Sequence, residues 1–209
     1  MHGLDELWAE LDRRTDYESC RRPRGARFDL EGMRSLLARL GDPQAAAPAI
    51  HVAGSKGKGT TCHYLEKGLR AAGLRTGLYT SPHLTSWRER ICIGGDEADD
   101  ATVAGALEKV LAASRGNETF FDLLTATAFV AFAERDCAAW VVEVGLGGRF
   151  DSTNLLQPLA AAVVSIEAEH VDVFGSDPCA IAVEKAGIFK TGARLWSGLV
   201  RGHAARGVL

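Results

Sequence analysis

The glycine-rich stretch HVAGSKGKGTTC, residues 51–62, constrains the fold of this chain more than any other feature. A short apolar run ends there in three closely spaced glycines with two lysines between them, and a helix-compatible segment follows. Glycines let a backbone wrap around an anion, N–H groups at the start of a helix point towards it, and a lysine can reach its oxygens. The order of strand, glycine loop and helix therefore favours a phosphate-binding loop over a structural turn with two surface lysines.

The loop departs from the P-loop pattern G-x-x-x-x-G-K-[ST]. Gly57 and Lys58 match that pattern, but Val52 stands at the first glycine position and Gly59 separates the lysine from Thr60. The loop alone therefore leaves both interpretations open.

The rest of the chain alternates predicted strands with predicted helices. Apolar runs predict strands at 49–53, 75–80, 91–93, 138–144 and 159–166, and helical spacing predicts helices at 30–40, 60–72, 103–111 and 121–133. This alternation predicts an α/β fold with a mostly parallel sheet flanked by helices on both faces. Ligands bind such sheets beyond the carboxyl ends of the strands, and the glycine loop, Ser81, Glu143 and His170 lie at or near those ends.

Taken singly, three charged or titratable residues have ordinary alternatives. Glu143 could be a charge turned outward at a sheet edge, or a Mg²⁺ ligand, because a hard cation that holds ATP phosphates prefers oxygen donors. His170 alone is more typical of a loop histidine than of a ligand, and Lys185 alone is more typical of a lysine on a helix surface.

Composition excludes several classes of function. The 209 residues carry a net charge of −3, and their positive charges are scattered, which does not suggest a nucleic-acid surface. The apolar runs are too short to cross a bilayer, and the N-terminus lacks the layout of a signal peptide. Five widely spaced cysteines without a C-x-x-C pair predict buried, reduced thiols rather than a disulfide framework or a zinc site. We therefore expect a cytoplasmic protein with no nucleic-acid or membrane partner.

Further segments accompany the glycine loop in a fixed order along nearly the whole chain. They are GLYTSPHL, ERICIGG, FFDLLTATAF, VEVGLGGRFDSTN, SIEAEHVDVFG and EKAGIFK. Together with the loop they resemble the folylpolyglutamate synthase/dihydrofolate synthase family, within the Mur ligase group. The resemblance implies a P-loop-type sheet similar to the central domain of a Mur ligase, present here in incomplete form.

The resemblance also implies a reaction. The protein would ligate L-glutamate to dihydropteroate or a folate polyglutamate, with ATP and Mg²⁺ as cofactors. The acceptor's carboxylate would attack the γ-phosphate to give an acyl phosphate, and the amine of the incoming amino acid would displace phosphate. The partners would be these small molecules, and the protein would be a monomer at full family length.

Individual residues follow from the same resemblance. The ATP phosphates would lie against Ser55, Lys56, Gly57, Lys58, Gly59 and Thr60. Mg²⁺ would be held by Ser81, Glu143 and His170, with Thr60 on the phosphate side of the metal. Catalytic roles would fall to Lys58, His170 and Lys185, and Lys185 matches a lysine that the group carries as a carbamate, which is an anionic oxygen ligand. The pterin or folate would contact Asp29, Leu30, Glu31, Gly32, Thr119, Phe120, Phe121, Asp122, Arg149 and Phe150.

Several positions depart from the family pattern. Lys56 stands where the family has asparagine, Glu169 replaces an aspartate before the histidine, and Asp122 stands where the family has glutamate. We expect residues 1–209 to form one ATP-binding domain with a helical segment at 1–48, without the rest of the central domain or the C-terminal glutamate-ligase domain. Two alternatives stay open, a non-catalytic nucleotide-binding fragment and another Mur-type amino-acid ligase, although YTSPHL and FFDLLTA favour folate over the latter.

Overall fold

The computed structural model describes residues 3–15, 29–168, 174–200 and 203. Its strands are β1 (Ala49–Ala53), β2 (Thr76–Tyr79), β3 (Ile91–Ile93), β4 (Asp96–Glu97), β5 (Ala139–Glu143), β6 (Ala160–Val163) and β7 (Arg194–Ser197). Its α-helices are α1 (Leu4–Leu11), α2 (Glu31–Arg39), α3 (Lys58–Ala71), α4 (Asp100–Ala113), α5 (Phe120–Glu134) and α6 (Pro178–Lys185). In this part of the chain no helix is long and apolar enough to cross a membrane.

The strands of the described residues form one sheet in the order β4-β3-β2-β5-β1-β6-β7. The five strands from β2 to β7 in that order run parallel, while β3 is antiparallel to β2 and β4 is antiparallel to β3. Val52 of β1 pairs with Glu143 of β5, and Tyr79 of β2 pairs with Val142. The carboxyl ends of three neighbouring strands therefore meet at one edge of the sheet.

Helices cover both faces of this sheet. On one face, α5 is buried along most of its length, and Phe129 and Phe132 pack on Trp140 of β5 with ring centroids 5.8 and 5.5 Å apart. On the other face, Cys62 of α3 joins a buried cluster with Val141 and other strand residues. These two layers give the central strands apolar neighbours on both sides, as a buried parallel sheet requires.

The structure confirms the predicted α/β class and the predicted strands and helices, with small differences at their ends. Helix α3 begins at Lys58 rather than at residue 60, and α4 extends from residue 100 to residue 113. Strand β7, which pairs with β6, was not predicted because its four residues are all exposed and show no buried face. Its exposed side chains include Leu195 and Trp196.

Candidate functional site

Glu143 is the buried carboxylate at the meeting point of the strand ends. It is the last residue of β5, is 4% exposed, and accepts a hydrogen bond from the Ser81 N–H at 3.0 Å. A Cβ built at Gly59 would lie 3.4 Å from its Oε2 atom, so the start of α3 lies against the carboxylate. The alternative of a charge turned outward at a sheet edge is therefore wrong.

The surroundings of Glu143 disfavour its charge. Burial raises the pKa of this carboxyl to about 7, against the opposing effects of the Ser81 N–H and the charge of Lys58. The neighbouring carboxylate of Asp151 raises the pKa further. A cation bound beside this buried carboxyl would lower its pKa and stabilise the carboxylate.

The glycine loop has the geometry of an anion site. Gly57 has a φ of 79°, in the left-handed region that glycine tolerates, and it turns the chain into α3. No N-cap side chain bonds to the start of α3, and the Gly59 N–H bonds to the Glu143 carboxylate, so an anion would meet the other N–H groups of the first turn and the positive end of the helix dipole. The ammonium of Lys58 makes no hydrogen bond or ion pair with any residue that the structure describes.

The glycine loop is fastened to the segment after β6. Ser165 Oγ accepts a hydrogen bond from the Lys56 N–H and donates one to the Lys56 carbonyl, both at 2.8 Å. We call this pair of bonds the Ser165 clasp. Next to it, Ser55 Oγ donates to the Glu167 carbonyl and accepts from the Glu167 N–H. The ammonium of Lys56 pairs with the Glu167 carboxylate at 2.5 Å, so its charge already has an acidic partner in the segment after β6.

The oxygen donors near Glu143 fit Mg²⁺. The hydroxyl of Ser81 is buried and has no hydrogen-bond partner within the described ranges, which leaves its oxygen available to a ligand. Thr60 is exposed at the start of α3. His170, with Glu169 before it, lies outside the described residues. Those residues hold no cluster of three or more His, Cys, Asp or Glu side chains for a metal, so the described ligand set is Ser81 and Glu143.

A second loop, residues 144–151, follows β5 and contacts the predicted acceptor segment. Asp122 at the start of α5 accepts a hydrogen bond from Ser152 Oγ at 2.6 Å. A Cβ built at Gly145 would lie 2.5 Å from the ring of Phe121, so the loop passes directly under that ring. The structure therefore brings Phe121 and Asp122 together with the loop that carries Arg149.

The other predicted acceptor contacts are more widely placed. Asp29 is exposed and accepts the Glu31 N–H, and a Cβ built at Gly32 would lie 3.9 Å from Asn117 in the loop before α5. Phe120 is turned into the core, with its ring 6.0 Å from that of Trp8. The remaining residues of the set are partly buried, as Leu30 and Thr119 are, or exposed, as Arg149 and Phe150 are.

Lys185 is not a surface lysine. It is the last residue of α6 and is 2% exposed. A Cβ built at Gly148 would lie 3.0 Å from the Lys185 Cα atom, so the second loop packs closely on the end of the helix. The burial of Lys185 rules out the interpretation of a lysine on a helix surface, but burial alone does not give the residue a chemical role.

Sequence reasoning missed a buried polar group behind this loop. Asp151 is 5% exposed and accepts hydrogen bonds from the Leu146 N–H at 2.8 Å and from Thr153. His51 Nε2 lies 2.8 Å from Thr153 Oγ1. The sequence feature that could have indicated this group is His51, the one histidine in the otherwise apolar strand β1.

Residues 52–194 match the family described as the Mur ligase middle domain. The chain therefore belongs to the Mur ligase family. Within that family it is similar to folylpolyglutamate and dihydrofolate synthases, which confirms the resemblance seen in the sequence.

A dihydrofolate synthase/folylpolyglutamate synthase of Bacillus subtilis is 41% identical over 176 residues, which are 80% of this chain and 41% of that protein. A structure of E. coli FolC in complex with DHPP and ADP is similar with a TM-score of 0.87 and 32% identity, over 99% of this chain and 48% of that one. An FPGS–AMPPCP–folate complex is similar with a TM-score of 0.85 and 34% identity, over 94% of this chain and 48% of that one. The chain thus spans less than half the length of each of these proteins.

Proposed function

We propose that this protein uses ATP to ligate L-glutamate to dihydropteroate or to a folate polyglutamate. The observation that carries the proposal is the contact of the buried Glu143 carboxylate with both the Ser81 N–H and the start of α3. Similar structures that contain ADP, or AMPPCP with folate, support a nucleotide and a folate as ligands.

The phosphates would bind at the start of α3. N–H groups of the first turn other than that of Gly59 would donate to phosphate oxygens, and Lys58, whose ammonium has no partner within the described ranges, would reach the outer phosphates. Because Lys56 pairs with Glu167, its contribution would come from its backbone rather than from its charge.

Mg²⁺ would be held by Ser81 and Glu143, with Thr60 on the phosphate side and His170 as a further proposed ligand. When bound, Mg²⁺ neutralises phosphate charge and makes the γ-phosphorus easier to attack. The protein's own contribution is a dry site, since Ser81 and Glu143 are both almost fully buried.

The second loop would orient the acceptor for two displacements. In the first, an acceptor carboxylate oxygen bonds to the γ-phosphorus and ADP leaves. In the second, the neutral amine of glutamate bonds to the acyl carbon, phosphate leaves and the amine loses a proton. Phe121, Asp122 and Arg149 would hold the acceptor so that these steps occur within one complex, which is how positioning lowers such barriers.

A carbamate on Lys185 is a further part of the proposal. The proposal rests on the match of Lys185 to the carbamylated lysine of the group and on its burial against the second loop. We expect a ¹³C-bicarbonate signal that Lys185→Arg abolishes, and wild-type protein without any adduct in the presence of Mg²⁺ and nucleotide would contradict this part.

Calorimetry with Mg²⁺ and AMPPCP tests the nucleotide site. Lys58→Ala and Glu143→Ala should each weaken binding by about 1–3 kcal/mol, the usual effect of losing a charged contact. Lys67→Ala is the matched control, since Lys67 is an exposed lysine on the same helix. Equal affinities for wild type, Lys58→Ala and Glu143→Ala would leave the glycine loop a structural turn.

ADP release with dihydropteroate and glutamate tests the reaction. We expect the 209 residues alone to bind nucleotide with little turnover, and a polypeptide extended to the length of the relatives to be active. Comparable turnover by the 209 residues and by the extended polypeptide would contradict this expectation. If the extended protein bound nucleotide but released no ADP with these substrates, the non-catalytic alternative or another Mur-type ligase would be favoured.

A further inference from the structure

His51 is a polar residue at a core position of β1, an interior strand of the sheet. It is fully buried in β1, on the strand face that it shares with Ala49 and Ala53, and these two alanines belong to two separate apolar clusters. Burial, followed by the charge of Lys190, lowers its pKa to about 3, so the imidazole is neutral near pH 7. A neutral imidazole has one N–H donor and one bare nitrogen.

The bonds around Thr153 decide which nitrogen carries the hydrogen. The Thr153 hydroxyl donates to Asp151 Oδ1, and the Thr153 N–H donates to the same oxygen at 3.0 Å. The hydroxyl has only one hydrogen, so its oxygen must accept from His51 Nε2, which lies 2.8 Å away. His51 is therefore the Nε2–H tautomer, and its Nδ1 is buried without a partner among the described residues.

The chain of donors ends on the carboxylate that closes the second loop. Asp151 Oδ2 accepts the Leu146 N–H at 2.8 Å, so Asp151 joins the beginning of loop 144–151 to its end. Asp122 of α5 raises the pKa of Asp151, and Asp151 in turn raises the pKa of Glu143 of β5, whereas the charge of Lys58 lowers the pKa of Glu143. Hydrogen bonds from Thr153 and from the Leu146 N–H lower the pKa of Asp151 and so offset part of this effect.

We propose that His51 is a positioning residue that ties loop 144–151 to the strand leading into the phosphate loop, through Thr153 and Asp151. Strand β1 runs directly into the glycine loop, so one side chain links the nucleotide side of the site to the acceptor side. The consequence for the acceptor rests on the proposed function, whereas the hydrogen-bond chain does not.

The tautomer is tested by ¹⁵N NMR of the histidine rings in the ligand-free protein. We expect His51 to show one protonated nitrogen, Nε2, at neutral pH, and Thr153→Val to shift that resonance. A His51 ring protonated on Nδ1 would overturn the proposal whether or not the protein is a ligase.

Matched variants test the positioning role. His51→Gln keeps an N–H donor near the Nε2 position, whereas His51→Leu removes it, and Thr153→Ser and Thr153→Val form a second pair if the first does not fold. We expect His51→Leu and Thr153→Val to speed hydrogen exchange of the Leu146 amide by about tenfold or more, with wild-type protection restored in His51→Gln and Thr153→Ser. Equal protection of the Leu146 amide from exchange in the donor-keeping and donor-lacking variants would overturn the positioning role of His51.

Ligand binding separates this inference from the proposed function. The donor-lacking variants should bind folate about tenfold more weakly while binding Mg²⁺–AMPPCP within about twofold of wild type. Unchanged folate binding, in variants that have lost Leu146 protection, would overturn the positioning role. If the wild type bound neither ligand, the proposed function would fail, and the tautomer and exchange results would still decide the hydrogen-bond chain.

Discussion

Replacing Glu143 by glutamine should stabilise the metal-free protein at neutral pH. The folded protein holds the Glu143 carboxyl at a pKa of about 7, compared with 4.5 for an ordinary glutamate. Below pH 4.5 the group is protonated in both the folded and the unfolded state and contributes nothing. As the pH rises towards 7 the unfolded chain ionises first, so the folded state loses stability. The full difference of about 2.5 pH units corresponds to about 3 kcal/mol.

Glutamine is the appropriate replacement because it has nearly the same shape and keeps an oxygen for the Ser81 N–H. Urea unfolding in EDTA at about pH 5 and about pH 8 would give the free energy of unfolding of both proteins. The advantage of Glu143→Gln over wild type should grow by about 2.5 kcal/mol between these two pH values. Glu108→Gln is the control, since Glu108 is exposed and should show no such growth. An advantage that does not change with pH, or a variant less stable at the higher pH, would refute the reasoning.

Three further predictions concern stability and can be tested by thermal or urea unfolding. Gly57→Ala should destabilise the folded protein by about 1 kcal/mol or more, because the backbone φ at residue 57 is 79°. Gly68→Ala, in open space within α3, should stabilise it by up to about 1 kcal/mol. Equal effects of the two substitutions would contradict the role given to the backbone angle. Gly145→Ala places a methyl group 2.5 Å from the Phe121 ring and should lower the free energy of unfolding by about 1–3 kcal/mol. Most of this loss should disappear when Phe121→Ala is added, so additive effects of the two substitutions would contradict the contact. Ser81→Ala removes a buried hydroxyl that has no hydrogen-bond partner in the described part of the chain, and it should stabilise the metal-free protein by about 1 kcal/mol. The same variant should weaken the effect of Mg²⁺ on nucleotide affinity, and a less stable variant would contradict this prediction.

The central sheet could be predicted from sequence because its strands are short apolar runs that alternate with helices. The position of Glu143 at the end of one such run, and of Ser81 just beyond another, placed both at the same edge of a parallel sheet. What sequence could not supply was that β2 and β5 are neighbours, since their residues lie far apart along the chain. Strand β7 was not predicted because its two apolar residues are adjacent and exposed, so they show no alternation of buried and exposed positions.

The buried polar chain behind the site could not be predicted for a different reason. His51 and Thr153 are separated by 102 positions, and no local spacing reports a contact of that kind. The burial of Lys185 likewise depends on the close approach of a distant glycine, Gly148. Sequence patterns identified the residues around the glycine loop, whereas packing between distant segments determined which of their neighbours are buried.

Because of the Ser165 clasp, positions 56 and 165 should differ in how well they tolerate substitution. Both of its bonds to residue 56 go to main-chain atoms, which every residue other than proline offers in full. Position 56 can therefore exchange its side chain, as with a lysine where the resembling family has asparagine, without loosening the loop. Position 165 has no such freedom, because its hydroxyl must donate and accept at once, and alanine there would leave the N–H and carbonyl of residue 56 without either bond. A library of substitutions should accept many residues at 56 and very few at 165.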